Sequence, residues 1–225
     1  MAKKVFLGVG HGGTDPGAVA NGLKEKDLNL AIANACCDEL ERHDVLVKMS
    51  RVKDDSESLT EKIKECNAFK PDFAIDVHNN AGGGDGAEAF YHYKGGKSKT
   101  LADNVLTEIV KIGQNSRGSK IKKNAQGTDY FGFIRDTSSP AIIVECAFVD
   151  NKKDITIIDT AAEQKAMGVA IAKGVLKTLG IKYKAPATDK ITKVYKVQVG
   201  AFASKKNAEA LVAKLKKDGY KPTIV

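Results

Sequence analysis

The stretch KVFLGVGHGGTDPGA, residues 4–18, joins an apolar run to a glycine-rich loop that contains a single histidine, His11. The apolar run over residues 3–9 has the composition of a buried β-strand. Glycines at positions 10, 12 and 13 let the backbone bend sharply after this strand and leave open space beside the imidazole. In open α/β sheets, active groups collect at the carboxyl ends of the strands. The stretch therefore predicts a strand of an α/β sheet that delivers His11 to a functional site.

Predicted strands and helices alternate along the sequence that follows. Apolar runs predict further strands at residues 45–47, 73–78, 87–92 and 141–144. Apolar residues at helical spacing predict helices at residues 28–40, 56–69, 98–112 and 161–179. This alternation indicates an α/β fold, and we expect a three-layer αβα sandwich with a mostly parallel sheet.

The composition is ordinary for a globular protein: of 225 residues, 42% are hydrophobic and 28% are charged. No apolar run approaches the roughly 18 residues that a membrane-spanning helix needs, so we expect no membrane insertion. The apolar stretch at the N-terminus is too short for a signal peptide, which predicts synthesis in the cytoplasm and release by another route. The four cysteines form no C-x-x-C pair, and we expect reduced thiols.

The net charge of +8 is confined to the last fifth of the chain. Residues 181–225 contain eleven lysines and three acidic residues, whereas residues 1–180 contain 25 basic and 25 acidic residues. A basic segment attached to a neutral body predicts a polyanionic partner such as nucleic acid, anionic lipid or an acidic wall polymer.

The character of the sequence also changes after residue 180. Residues 181–193 have little apolar periodicity and contain Pro186, which is typical of a linker. Residues 194–225 then show an alternating strand, a lysine-rich helix and the beginning of a second strand. We therefore predict a body over residues 1–180, a linker, and a small C-terminal βαβ unit over residues 194–225. A unit of this size is too small to form an independent core without help.

Residues with metal-binding and proton-transfer chemistry stand at three predicted strand ends. His11 follows the first strand, His78 ends the third, and Glu145 follows the apolar run at 141–144. Glu25 lies where the first long helix begins. Two histidines and one carboxylate are a usual ligand set for a catalytic zinc, and a second carboxylate can serve as the general base. The residues alone leave open which carboxylate is the ligand and which is the base.

Four motifs, GHGGTDPGA, GLKEKDLNLAIA, DVHNNA and PAIIVECAFVDN, follow one another between residue 3 and about residue 180. In this order and approximate spacing they resemble the zinc-dependent N-acetylmuramoyl-L-alanine amidases of the amidase 3 family. The resemblance implies that His11, Glu25 and His78 bind Zn²⁺ and that Glu145 is the catalytic acid and base. It implies hydrolysis of the amide bond between the lactyl group of N-acetylmuramic acid and L-alanine in peptidoglycan, and with it cell-wall lysis.

Two positions depart from the pattern of the family that the motifs resemble. The family usually has Asp-Pro-Gly before the first histidine, where this chain has Gly-Val-Gly at residues 8–10, and commonly has serine where this chain has Asp76. We expect these changes to alter contacts around the ligands without removing a ligand. We also expect Arg51 and Asn79 to contact the substrate, with an ordinary surface position as the alternative for Arg51.

The tail sequence YKVQVGAFASKKNAEALVAKLKKDGYKPTIV, residues 195–225, is similar to the repeat of sporulation-related (SPOR) domains, which bind peptidoglycan glycan strands. The usual domain has two βαβ halves. Either a half is missing here, or two chains pair their halves as a weak homodimer. The resemblance implies peptidoglycan as a partner, with anionic wall polymers as further candidates. Amidases with such tails include autolysins and phage endolysins, so we expect action on the cell wall after release.

Three alternative functions are compatible with parts of the sequence. Cys146 with His78 could form a cysteine hydrolase, although the alternation of a strand points Cys146 away from Glu145 and toward the core. The body could be a non-enzymatic protein that only places the basic tail on a wall polymer. The aromatic residues of the tail could stack on nucleic-acid bases. The complete set of candidate ligands favours the amidase, and chelation separates a zinc enzyme from a thiol enzyme.

Overall fold

The computed structural model describes residues 2–186, 198–217, 222 and 224, and divides the chain into two units, Met1–Lys184 and Ala185–Val225. The described strands are β1 Lys4–Val9, β2 Val19–Ala20, β3 Leu23–Lys24, β4 Leu46–Met49, β5 Phe73–Asn80, β6 Ala87–Tyr91, β7 Ser116–Lys120 and β8 Ala141–Phe148. The described helices are α1 Glu25–Glu41, α2 Leu59–Phe69, α3 Lys97–Val110, α4 Gly132–Asp136, α5 Ala161–Leu179 and α6 Lys205–Lys217. Within the described ranges, none of these helices is long and apolar enough to span a bilayer.

Six strands of the first unit form one sheet in the order β4-β1-β5-β8-β6-β7. The strands β4, β1, β5 and β8 run parallel, whereas β6 pairs antiparallel with β8 and parallel with β7. The predicted α/β fold with a mostly parallel sheet is confirmed. The short strands β2 and β3 form a separate antiparallel pair that precedes α1 in the chain.

Side chains of the sheet alternate between two helical layers. One face packs against α1, α3 and α5 in the larger core, which includes Leu7, Ile75 and Val144. The opposite face packs against α2 and α4 in a smaller core, which includes Phe6 and Ile143. The sheet between two layers of helices is the predicted αβα sandwich.

The layer formed by α2 and α4 is the smaller of the two. The helices α1, α3 and α5 have 17, 14 and 19 residues, whereas α2 has 11 and α4 has five. The small layer leaves the carboxyl ends of the central strands uncovered, and a cleft of about 530 Å³ opens there. His11 and His78 line this cleft together with the first residues of α2 and α4.

The ends of the elements agree with the sequence predictions in some places and differ in others. The helix α5 spans the predicted residues because a capping box between Thr160 and Glu163 begins it and Gly180 ends it in the left-handed conformation. The strand β8 continues to Phe148, so Glu145 lies within the strand and not at its end. The strand β7 and the short helix α4 are not predicted from the sequence.

The first unit continues beyond residue 180, the predicted end of the body. Ile181 and Tyr183 pack against the larger core, and the ring of Tyr183 stacks on His43 with ring centroids 5.2 Å apart. The backbone N–H of Lys184 donates to Nε2 of His43 at 2.9 Å. A fragment that ends at residue 180 would therefore lose these contacts.

In the second unit the structure describes one helix, α6, at the position of the predicted lysine-rich helix. The predicted strands on either side of it fall largely outside the described residues. Residues 187–193 of the predicted linker also lie outside them. The βαβ arrangement and the predicted boundaries at residues 180 and 193 therefore stay predictions.

Candidate active site

His11 projects from the loop after β1, where its backbone has a left-handed φ of 60°. Its Nδ1 lies 2.7 Å from Oδ2 of Asp15, and its Nε2 lies 3.1 Å from Oε2 of Glu25. The guanidinium of Arg51 donates from Nε to the His11 carbonyl at 2.8 Å and so supports the loop. The hydrogen bond with Glu25 raises the pKa of His11, while burial opposes this increase. The imidazole therefore has a carboxylate neighbour on each of its two nitrogens.

Glu25 is the first residue of α1 and is 4% exposed. The backbone N–H of Ala18 donates to its Oε2 at 2.9 Å, and that of Asn79 donates to its Oε1 at 3.1 Å. Burial raises the pKa of this carboxyl, but the hydrogen bonds with His11 and His78 outweigh burial and hold the pKa well below its usual range. The side chain is thus an ionised carboxylate fixed between two histidines.

His78 lies near the end of β5 and faces the same carboxylate. Its Nδ1 is 3.0 Å from Oε1 of Glu25, and its ring meets that of His11 edge-on with centroids 5.1 Å apart. The ring of His78 occupies the space over Gly10. A Cβ added to Gly10 would lie 2.3 Å from Cε1 of His78. Burial lowers the pKa of His78, but the carboxylates of Asp76 and Glu25 outweigh burial and raise the pKa to about 10.

His11, Glu25 and His78 together have the chemistry and the spacing of a metal site. Each offers one ligand atom, and these atoms lie within 4.8 Å of one another. In a tetrahedral zinc site with bonds of about 2.0–2.1 Å, the ligand atoms are roughly 3.3 Å apart. Nε2 of His11 lies 3.1 Å from Oε2 of Glu25 and Nδ1 of His78 lies 3.0 Å from Oε1, so one carboxylate approaches both imidazoles through different oxygens. Imidazole nitrogens and a carboxylate oxygen are also donors that zinc prefers. The residues present therefore fit a zinc ion.

Glu145 lies beside His78, because the parallel pairing of β5 and β8 aligns the two residues. Its Oε2 is buried and has no hydrogen-bond partner among the described residues. Burial raises the pKa of Glu145 to about 7, while His78 opposes the increase and Glu25 adds to it. A carboxyl with this pKa can accept and donate a proton near neutral pH.

Cys146 points to the other face of β8, as the alternation of the strand predicts. The side chain lies in the larger core with no exposed surface. Burial raises the pKa of the thiol well above its usual range. A buried, protonated thiol is a poor nucleophile, so this placement argues against the cysteine-hydrolase alternative.

Comparison with known proteins gives two family matches. A model described as N-acetylmuramoyl-L-alanine amidase matches residues 5–177, and a model described as SPOR domain matches residues 170–225. The chain belongs to the N-acetylmuramoyl-L-alanine amidase family. Both resemblances found in the sequence are thereby confirmed, and the chain is an enzyme of this amidase class.

Relatives of this amidase include bacterial and phage enzymes. It is 34% identical to the N-acetylmuramoyl-L-alanine amidase CwlM of Bacillus licheniformis, over 99% of this chain and 84% of the relative. It is 34% identical to an endolysin of Bacillus phage SPP1, over 82% of this chain and 69% of the relative. Among solved structures, an N-acetylmuramoyl-L-alanine amidase from Clostridium difficile 630 matches with a TM-score of 0.73 and 31% identity, over 80% of this chain and 97% of that one.

The two residues of this amidase that we expected to contact substrate, Arg51 and Asn79, are buried and do not line the cleft. Arg51 is 5% exposed, and its guanidinium donates to four backbone carbonyls, three in loops and one, that of Lys26, in the first turn of α1. It is therefore neither a surface arginine nor free to meet a substrate carboxylate. Asn79 is 2% exposed, and its Nδ2 donates to Oδ1 of Asn29 at 2.9 Å. The geometry favours supporting roles for both side chains.

Gly8, the first residue of the Gly-Val-Gly departure, and Asp76, the second departure, are neighbours in the pairing of β1 with β5. A Cβ on Gly8 would lie 2.4 Å from Oδ1 of Asp76, so the glycine provides the space that the aspartate occupies.

The sequence did not identify the partner of Asp76, which is Lys62 of α2, with Nζ 3.0 Å from Oδ1 of Asp76. Lys62 lies four residues before the buried Cys66, on the apolar face of α2, and a lysine on such a face could have indicated a buried acidic partner. The sequence also did not identify Asp15, whose only signal is its place in the first motif.

Proposed function

We propose that this amidase binds a zinc ion through His11, Glu25 and His78 and uses Glu145 to hydrolyse the amide bond between N-acetylmuramic acid and L-alanine in peptidoglycan. The observation that carries the proposal is a buried carboxyl oxygen of Glu145 that has no hydrogen-bond partner in the described part of the chain, next to His78, one of three residues whose ligand atoms converge. Membership of the amidase family supports the choice of bond. Cleavage of many such bonds would lyse the wall.

The proton transfers of this reaction fall to Glu145. When bound, zinc supplies a Lewis acid that polarises the scissile carbonyl and lowers the pKa of water. Glu145 takes up the proton of the attacking water and then gives it to the departing alanine nitrogen, so the carboxylate is regenerated at the end of the cycle. Its pKa of about 7 suits both transfers near neutral pH.

The cleft beside the site provides a place for the substrate. Its volume of about 530 Å³ lies in the range of pockets that enclose small ligands. Phe131 and Phe133 contribute apolar walls, while Ser56 and Glu57 contribute polar ones. A stem peptide next to the scissile bond fits a cleft of this size, whereas the glycan strand would lie outside it.

We extend the proposal to the C-terminal unit that the SPOR family model matches. This unit would hold the enzyme on glycan strands of the wall, and the net charge of +8 in residues 181–225 would add attraction to anionic wall polymers. That attraction should weaken as salt screens it. The weak homodimer through this unit is also a proposal, and sedimentation of the full chain over a concentration series tests it.

Metal analysis combined with an assay on purified cell walls tests the proposed chemistry. The native protein should contain a single zinc ion, and chelation should abolish the release of alanine amino groups until zinc is added back. Glu145→Gln should keep zinc and lose activity, whereas Glu65→Gln, on a half-exposed side chain of α2, should keep both. Full activity after chelation would contradict the zinc assignment, and inactivation by a thiol-alkylating reagent would point to a cysteine hydrolase.

A further inference from the structure

A lysine and an aspartate are buried together on the Nε2 side of His78. Lys62 of α2 is 6% exposed, and Asp76 of β5 is 3% exposed. Nζ of Lys62 donates to Oδ1 of Asp76 at 3.0 Å, to Oδ2 at 3.3 Å and to the carbonyl of Val9 at 3.2 Å. Oδ2 of Asp76 in turn lies 3.5 Å from Nε2 of His78. One carboxylate therefore links α2 to the imidazole.

Stability alone is a weak reason for this buried ion pair. The desolvation of two charges often cancels their attraction, and apolar residues of similar volume frequently stabilise a fold as well or better. Lys62 also interrupts the buried face of α2, on which Cys66 lies one turn further along. An apolar side chain at position 62 would continue that face, so the pair calls for a role other than packing.

The contact with His78 supplies such a role. His78 can present Nδ1 as a ligand only when this atom faces Glu25 and the remaining ring proton is on Nε2. A carboxylate beside Nε2 favours both the orientation and the position of the proton. At 3.5 Å the contact is longer than an ordinary hydrogen bond, so the attraction is mainly electrostatic. Lys62 fixes this carboxylate and offsets its charge.

We propose that Asp76 and Lys62 are positioning residues that hold the His78 ring with Nδ1 directed into the metal site. The inference rests on the proposed function, in which His78 is a zinc ligand. Ligand histidines commonly have a carboxylate partner on the second nitrogen, and its removal weakens metal binding about 10- to 100-fold. His11 has the corresponding partner in Asp15, at 2.7 Å.

A double variant separates this positioning role from folding. Lys62→Met with Asp76→Ser removes both charges, so that neither is left buried without its partner. We expect the full chain with both changes to melt near the wild-type temperature but to bind zinc about 10- to 100-fold more weakly in competition with a chromophoric chelator. The control, Lys48→Met with Glu65→Gln, removes another ion pair of α2 and should leave zinc affinity unchanged.

A second variant moves the carboxylate to the neighbouring strand. Position 8 lies opposite position 76 in the pairing of β1 with β5, and a side chain there enters the space that Asp76 fills. Gly8→Asp combined with Asp76→Ser therefore places a carboxylate near Lys62 from the other strand. We expect its zinc affinity to return toward the wild-type value. This variant decides the question if the first one does not fold.

Wild-type zinc affinity in the Lys62→Met, Asp76→Ser protein would overturn the proposal. A relocated carboxylate that permits folding without restoring zinc affinity would overturn it as well. If the wild-type protein itself binds no zinc, the proposed function fails. The positioning of His78 can then still be tested in metal-free protein, by the nuclear Overhauser effects between the His78 ring and Gly10. Their loss in the first variant supports positioning, and their persistence refutes it.

Discussion

The substitution Gly10→Ala should abolish metal binding in this amidase while leaving its fold largely intact. Gly10 follows β1 and does not have a positive φ, so alanine meets no backbone strain there. The added Cβ would lie 2.3–2.5 Å from three ring atoms of His78, whereas ordinary van der Waals contact begins at 3.4 Å. The imidazole must therefore retreat by about 1 Å.

A retreat of this size exceeds what a metal site tolerates. Metal–ligand distances hold to within about 0.2 Å, so the bond from His78 is lost and not merely lengthened. A misplacement of about 1 Å typically lowers the rate about 100-fold, and we expect at least this loss of activity. The His78 side chain is 20% exposed, so the ring can turn toward the cleft. We therefore expect a loss of only about 1 kcal/mol in stability, or roughly 2–4 °C in melting temperature.

Zinc content after gel filtration and the release of amino groups from purified walls measure the two effects. The control is Gly180→Ala, where φ is 73° and an added Cβ meets no atom within 4 Å. Left-handed backbone strain should cost this control about 1–2 kcal/mol while zinc and activity remain. A Gly10→Ala protein with full zinc content and activity would refute both the placement of the His78 ring and its role as a ligand.

Glu145→Gln should keep zinc and lower kcat on purified walls by about 100-fold or more, because in the proposed function the residue transfers protons and is not a ligand. Loss of zinc together with activity would reverse the roles assigned to Glu25 and Glu145. In metal-free protein, the same variant should gain stability over wild type as the pH rises from 4.5 to about 7. Burial raises the pKa of the folded-state carboxyl, so ionising it costs folding free energy across this range, and urea unfolding of both proteins tests the sign. A fragment that ends at Pro186 should fold, bind zinc and lose salt-dependent wall binding, as sedimentation with walls will measure. One that ends at Gly180 should melt at a lower temperature because the packing of Tyr183 is lost, and equal melting temperatures would contradict this.

Apolar periodicity and capping residues in the sequence predict the helices and strands that bury a continuous apolar face or have capping residues at their ends. The helix α5 is the clearest case, because Thr160, Glu163 and Gly180 mark its ends within a few residues of sequence. The strand β7 has no such signal. Its sequence, SRGSK, shows no apolar alternation, and it lies at the edge of the sheet, where pairing of its backbone with β6 is sufficient to form it.

The sequence by itself determined the chemistry available to this protein. Its apolar runs predicted that His11 and His78 lie at or near strand ends. Its motifs indicated Glu25 and Glu145 as the carboxylates of the same site. It also determined the α/β class, because apolar periodicity is a local property that each segment carries alone.

Only the tertiary structure decided which polar side chains face the cleft and which face inward. In the sequence Arg51 and Asn79 follow strands as the candidate ligands His11 and His78 do, yet their hydrogen bonds are made to loops and helices from elsewhere in the chain. Gly8, Asp76 and Lys62 likewise share one space although they belong to three different elements. The physical reason is that the register of the sheet and the packing of α2 against it join residues far apart in sequence. A local pattern fixes the direction of a side chain relative to its own element, but not the partner that it meets there.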